Sequence, residues 1–173
     1  MPKFDQNDAE CHVFTFKEGA LSALAHDLEL AVRRFTIEVT DELAVDAKFE
    51  ASSLAVLHAI KDGRPRDVSE GDKRKIERNI ADDVLETRRH PEIRFRAAKA
   101  VPAGDGFVLA GELSLHGKTR PLEIKTRPAN GKQVAEITLH QPDFGIKPFS
   151  AMLGTLKIKP DLKVRVSLTW PRA

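Results

Sequence analysis

The side chains of this chain that could do chemistry are six histidines, His12, His26, His58, His90, His116 and His140, and one cysteine, Cys11. Metal ligation needs several imidazoles or carboxylates to converge, commonly from close sequence pairs. No two of these histidines lie within four residues of one another. The one tight His/acid pair is His26-Asp27, and neighbouring strand residues point to opposite faces, which argues against joint ligation. His26, His90 and His116 are the candidates for a metal site, and a metal-assisted hydrolase using His26 and His116 is the weakest reading. His116 fits a hairpin turn and His90 precedes the helix-stopping Pro91, so structural roles account for both and no metal is expected. Nucleophilic catalysis needs Cys or Ser within reach of a base. Cys11 precedes His12 on what reads as an edge strand, Ser150 has no nameable partner, and no Gly-x-Ser-x-Gly elbow occurs. Gly104-Asp105-Gly106 suits a hairpin turn, not a phosphate loop. No catalytic residue is assigned, and the chain is read as not an enzyme.

Binding chemistry is better represented. The segment from Gln141 to Gly154 breaks the surrounding strand pattern with two prolines and two glycines while presenting Phe144, Ile146, Phe149, Met152 and Leu153. So apolar a loop must fold inward, cover a mouth or meet a partner. A hydrophobic plug is the plain alternative to lining a lipid pocket, where adaptable Met and rigid Phe suit an apolar ligand. These five residues and His26 are the candidate ligand-binding set.

The elements that would position them are mainly strands. Phe107, Leu109, Leu113 and Leu115 share one face with Gly111 between them, as do Ala135, Ile137 and Leu139 after Asn130-Gly131. Leu162, Val164, Val166, Leu168 and Trp170 repeat the pattern, so long strands with one buried and one wet face are expected. Leu28, Leu30 and Val32 alternate on even positions, but Phe35, Ile37 and Val39 on odd ones. That flip requires a bulge or sharp bend at Arg33-Arg34, and a second one falls near Ser52-Ser53. Ser69 with Asp72 resembles a capping box, opening a helix with Ile76, Ile80 and Val84 on one stripe, which Pro91 ends. Long antiparallel strands with one helix imply a sandwich or a barrel, and a barrel has an inside.

At 173 residues the chain suits a single domain spanning 1–173. Lys+Arg 28 against Asp+Glu 26 leaves a net charge of +2, no field to recruit nucleic acid. The phenylalanines sit in core parity and there is no tyrosine, so stacking platforms for single strands are also missing. One cysteine excludes an internal disulfide, and the polar stretch Met1–Glu10 cannot serve as a signal peptide or membrane anchor. A cytoplasmic protein without membrane insertion is expected.

Three stretches carry a resemblance. Asp83 to Phe95 looks like a helix end followed by a Tyr/His-Pro and aromatic strand start, Gly111 to Leu122 like a strand, His-Gly turn and returning strand, and Phe144 to Pro148 with the closing strand like a C-terminus, all as found in the YceI-like, polyisoprenoid-binding proteins of bacteria. The resemblance implies a lipocalin-like, antiparallel, eight-stranded β-barrel with one inserted helix. It also implies a long isoprenoid or similar lipid in an apolar tunnel, with no catalysis and no metal.

Two functions follow as expectations. The first is non-enzymatic binding of a long apolar lipid (polyisoprenoid, quinone or fatty-acid-like) inside the barrel, for transport, storage or stress response, with no cofactor beyond that ligand. The alternative is a solidly packed barrel that acts without ligand as a protein-interaction module or homodimer.

Overall fold

The computed structural model describes residues 2–18, 26–151 and 156–171. In chain order the strands are β1 (Lys3–Asp5), β2 (Ala9–Thr15), β3 (Lys17–Glu18), β4 (Asp27–Val32), β5 (Phe35–Val39), β6 (Val45–Glu50), β7 (Leu54–Lys61) and β8 (Arg64–Arg66). Helix α1 (Glu70–Asn79) follows, then β9 (Glu92–Ala103), β10 (Gly106–Leu115), β11 (Lys118–Ala129), β12 (Lys132–His140), β13 (Ser150–Ala151), β14 (Leu156–Ile158) and β15 (Asp161–Leu168). Twelve of these form one curled antiparallel sheet in the order β1-β5-β6-β9-β10-β11-β12-β15-β2-β4-β7-β8, and β13, β14 and β3 form a small second one.

The count is twelve where eight was expected, and the bends explain the difference. The parity flip at Arg33-Arg34 is a corner between β4 and β5, and the one near Ser52-Ser53 is a 3-10 turn, Ala51–Ser53, between β6 and β7. The two corners are stitched together: Arg33 N–H donates to the Ser53 carbonyl (3.1 Å), Arg34 N–H to Ser53 Oγ (3.1 Å), and Glu50 N–H to the Arg34 carbonyl (3.0 Å). Beyond them β4 pairs with β7, and β5 with β6. Taken as one bent strand each, β4/β5 and β6/β7 complete a ring of eight with β9, β10, β11, β12, β15 and β2, closed because β6 pairs with β9 and β2 with β4. The short charged β1 and β8 are extra edge segments, of the kind that blunt a sheet edge. Cys11 and His12 do not lie on an edge: β2 is sandwiched between β15 and β4.

Helix α1 opens as its capping box demands, Ser69 Oγ accepting from Asp72 N–H at 3.2 Å. It does not run on to Pro91. After Asn79 the chain widens into a π turn, Ile80–Val84, in which Leu85 N–H reaches the Ile80 carbonyl and Thr87 N–H the Ala81 carbonyl. Glu86 then leaves the helix with φ +48°. No helix of the described residues is long and apolar enough to cross a membrane.

Candidate functional site: an apolar cavity and its rim

Alternation decides what the inside of this ring is made of. Successive residues of a strand face opposite sides, so Cys11 and Val13, Leu28 and Leu30, and Val164 and Val166 turn inward while their neighbours face water. They enclose a cavity of ≈ 360 Å³. Along β12 its wall runs from Gln133 to Leu139, six residue steps or about 20 Å of strand. Ile76 and Ile80 of α1 and its π turn, with Val84 and Leu85 beyond, close one side. The ring is therefore hollow, which departs from the alternative of a solidly packed barrel.

The chemistry of the lining is narrow. Among the described residues that line it none is Asp, Glu, Lys or Arg, and the side chains with amide, hydroxyl or imidazole groups are Thr15, His26, Asn79, Thr126, Gln133 and Gln141. Several of these are already occupied by the protein. Thr126 Oγ1 accepts from Phe107 N–H (3.0 Å) and donates to Gln133 Oε1 (2.7 Å), while Gln133 Nε2 donates to the Asp105 carbonyl and Gln141 Nε2 to the Lys159 carbonyl. Thr15 Oγ1 is different: it is buried and has no hydrogen-bond partner among the described residues. Burying a hydroxyl unpaired costs about 1–3 kcal/mol. Cys11 lines the same cavity, and burial pushes its thiol up to about 12, so it stays protonated and a poor nucleophile.

Small inner residues keep the space open. Ala47 and Ala135 stand where a larger side chain would project into the hollow. Gly111 has a separate reason: a Cβ there would lie 2.3 Å from the Arg96 carbonyl oxygen and 2.7 Å from the Phe95 ring, so only glycine lets that ring lie over β10.

Of the candidate ligand-binding residues, Phe144 and Ile146 are buried, at 5% and 3% exposure, and line the cavity, as do half-buried Phe149 and exposed His26. Met152 and Leu153 lie outside the described residues. The 3-10 turn Gln141–Phe144 followed by Gly145 (φ +67°) folds the segment inward. A shallower pocket bounded by Asp83, Val84 and residues 147–151 shares Val84 and Phe149 with the apolar cavity. Sequence patterning missed Thr15, whose hydroxyl matters only because nothing among the described residues pairs with it.

Outside the cavity wall, the π turn and the β10–β11 hairpin bring Glu86, His90 and His116 together. His116 Nε2 is 3.0 Å from Glu86 Oε2, and the His90 and His116 rings are tilted against each other with centroids 4.5 Å apart. The hydrogen bond to His116, together with the nearby charge of Arg89, holds the Glu86 carboxyl below its ordinary range. His26 is not part of this cluster, so the three histidines singled out from sequence split between two places.

The family model for the YceI-like domain matches residues 8–170. No curated protein matches the chain by sequence. Among solved structures, BcnA of Burkholderia cenocepacia superposes with a TM-score of 0.64 at 12% identity, over 92% of this chain and 94% of that one. A polyisoprenoid binding domain from Saccharophagus degradans, implicated in plant cell wall breakdown, does so with a TM-score of 0.61 at 9% identity, over 96% and 94%. At such identities the likeness concerns the fold, and the match of the family model over nearly the whole length is what places this chain in the YceI-like domain family.

Proposed function

We propose that this protein binds a long apolar chain (a polyisoprenoid, a quinone tail or a fatty acid) inside its barrel, as a non-enzymatic carrier for transport, storage or stress response. The observation that carries this reading is the cavity. Protein interiors pack like organic crystals, with few voids larger than a water molecule. At about 24 cal/mol per Å³, leaving ≈ 360 Å³ empty forgoes on the order of 9 kcal/mol of packing, comparable to the whole stability of a domain. A hollow this expensive and this apolar makes sense when an apolar occupant restores the contacts. Its size also falls within the about 300–1,000 Å³ usual for ligand pockets.

Burying ten methylenes would contribute about 8 kcal/mol before the costs of association. Specificity would be weak, because little besides Thr15 Oγ1, His26 and Asn79 offers a polar contact. A ligand hydroxyl or carbonyl placed beside Thr15 would supply its missing partner. The shallower pocket between Val84 and Phe149 is the proposed entrance. The description of a relative as a polyisoprenoid binding domain supports the same ligand class.

The test is to purify the protein without detergent, record its native mass, and extract it with organic solvent. The expected result is a long-chain lipid near one per protein, or uptake of one on titration, followed through Trp170, the single tryptophan and part of the cavity wall. Protein that carries no lipid and takes up none would end the proposal.

A further inference from the structure

Three hairpins of this fold use the same two-residue turn, with both central residues at positive φ: Asp62-Gly63 (52°, 74°), His116-Gly117 (54°, 76°) and Asn130-Gly131 (52°, 77°). Asp-Gly and Asn-Gly are the expected choices for such turns. His116 stands where the other two have a short side chain suited to the left-handed region, so the position asks for another reason to be histidine. Its ring answers: Nδ1 lies 3.3 Å from the Phe144 carbonyl oxygen and Nε2 3.0 Å from Glu86 Oε2. Both partners are acceptors, and neutral imidazole has one N–H. With that hydrogen on Nδ1, the Nε2 lone pair faces a carboxylate, an arrangement that a shared cation, either a proton or a metal ion, makes favourable.

The surroundings point to a metal ion as that cation. His90 packs its ring against that of His116, so the one carboxylate of Glu86 faces two imidazoles, and one ligand atom from each residue can be chosen so that all three lie within 4.8 Å of one another. For tetrahedral zinc with bonds of about 2.0–2.1 Å, ligand atoms sit about 3.3 Å apart, so modest side-chain rotation closes the set. Glu86 is itself held in the left-handed region (φ +48°), a conformation tolerated where the surroundings enforce it. The turn is cut to fit: a Cβ on Gly117 would meet His90 Cε1 at 3.0 Å. The Nδ1 contact of His116 to a backbone carbonyl is the outer-sphere support that ligating histidines usually have. The competing charge is Arg89, 3.4 Å from Glu86 Oε1, and its side chain is 73% exposed and free to swing away.

We infer that Glu86, His90 and His116 bind a divalent transition-metal ion of the zinc class at the rim of the barrel. Two imidazoles and one carboxylate suit zinc or cobalt and not the all-oxygen preference of calcium or magnesium. None of the three residues lines the cavity, so the site stands or falls separately from lipid binding.

The test uses the full chain stripped with a chelator and titrated with zinc chloride against a chromophoric zinc indicator, and with cobalt chloride read by its visible d–d bands. One ion per chain is expected, with cobalt bands of a four- or five-coordinate nitrogen/oxygen site and no such change with calcium. His116→Asn keeps a turn-favoured residue, and His90→Phe keeps a ring against Gly117, so both should fold. Each should weaken binding by at least the about 10–100-fold that losing an outer-sphere partner alone costs. Glu86→Gln should do the same. His140→Asn, which removes an exposed histidine paired with Asp161, should leave binding unchanged. Absence of stoichiometric binding, or binding that folded His116→Asn and His90→Phe retain, would overturn the inference.

Discussion

Ala135 is where the hollow interior can be tested most directly. It sits midway along the wall formed by β12, between Gln133 and Ile137 and opposite Val166 on β15, and is 8% exposed. Ala135→Phe would project a ring into the cavity, displacing the equivalent of about four methylenes of an occupying chain. At about 0.8 kcal/mol each this removes about 3 kcal/mol of binding, about a 200-fold loss of affinity. The free protein should respond in the opposite sense. A ring forced into a packed core costs about 1–3 kcal/mol, whereas one entering an empty apolar space is neutral or gains about 0.5–2 kcal/mol. Titration of a long-chain polyisoprenoid followed by Trp170 fluorescence gives the first quantity, and urea unfolding of ligand-free protein gives the second. Stability held or raised with affinity lost is the expected pair. A variant several kcal/mol less stable would mean the interior has no room, and wild-type affinity would mean the ligand binds elsewhere; either refutes the reasoning.

Gly111→Ala should destabilise by about 2–3 kcal/mol in urea unfolding, because its Cβ collides with the Arg96 carbonyl as well as the Phe95 ring and backbone cannot step aside. Asp46 accepts two hydrogen bonds from the Arg94 guanidinium, at 2.9 and 2.7 Å, and this contact holds its carboxyl below the ordinary value of 3.8. Since the unfolded chain protonates Asp46 first as pH falls, the pair contributes fully above pH 4 and is lost as pH drops through the folded-state value. Asp46→Asn should therefore lower thermal stability at pH 7, and the gap to wild type should narrow below pH 4. With its pKa at about 12, Cys11 is about one part in 10⁴ thiolate at pH 8, so iodoacetamide should label it only after unfolding; rapid labelling of native protein would contradict the burial.

How much of this was legible in the sequence depends on the range of the contacts. Strands whose inner faces repeat every second residue, such as Leu162 to Leu168, declare themselves, because alternation is a local property. The two corners were legible too, since Val32 to Phe35 changes parity and no straight strand can do that. Strand number was not, because corners split two bent strands and the short charged β1 and β8 carry no pattern at all. The inward turn of Phe144 and Ile146 was legible from their apolar composition against a loop background. Of the cluster at the rim, His90 and His116 were singled out together with His26 as candidate metal ligands, but their meeting with Glu86 was hidden. The cluster's histidines stand 26 positions apart, and Glu86 joins them only because α1 ends in a π turn where the apolar spacing suggested that the helix continued.

The same lining that makes ligand identity hard to read makes the binding mode testable by thermodynamics. No Asp, Glu, Lys or Arg among the described residues contributes to the wall, so an uncharged chain meets no ion pair and no fixed charge to desolvate there. Its affinity should stay flat between 50 and 500 mM salt, conditions under which an ionic contact at the surface would weaken markedly. Burial of apolar surface should instead appear as a negative heat-capacity change, about −45 cal/mol/K for each 100 Å² removed from water. Calorimetry of a neutral polyisoprenoid alcohol at several temperatures and two salt concentrations separates the possibilities. A heat-capacity change near zero with strong salt dependence would place the ligand on the charged exterior of the barrel, and the hollow would then need a different explanation.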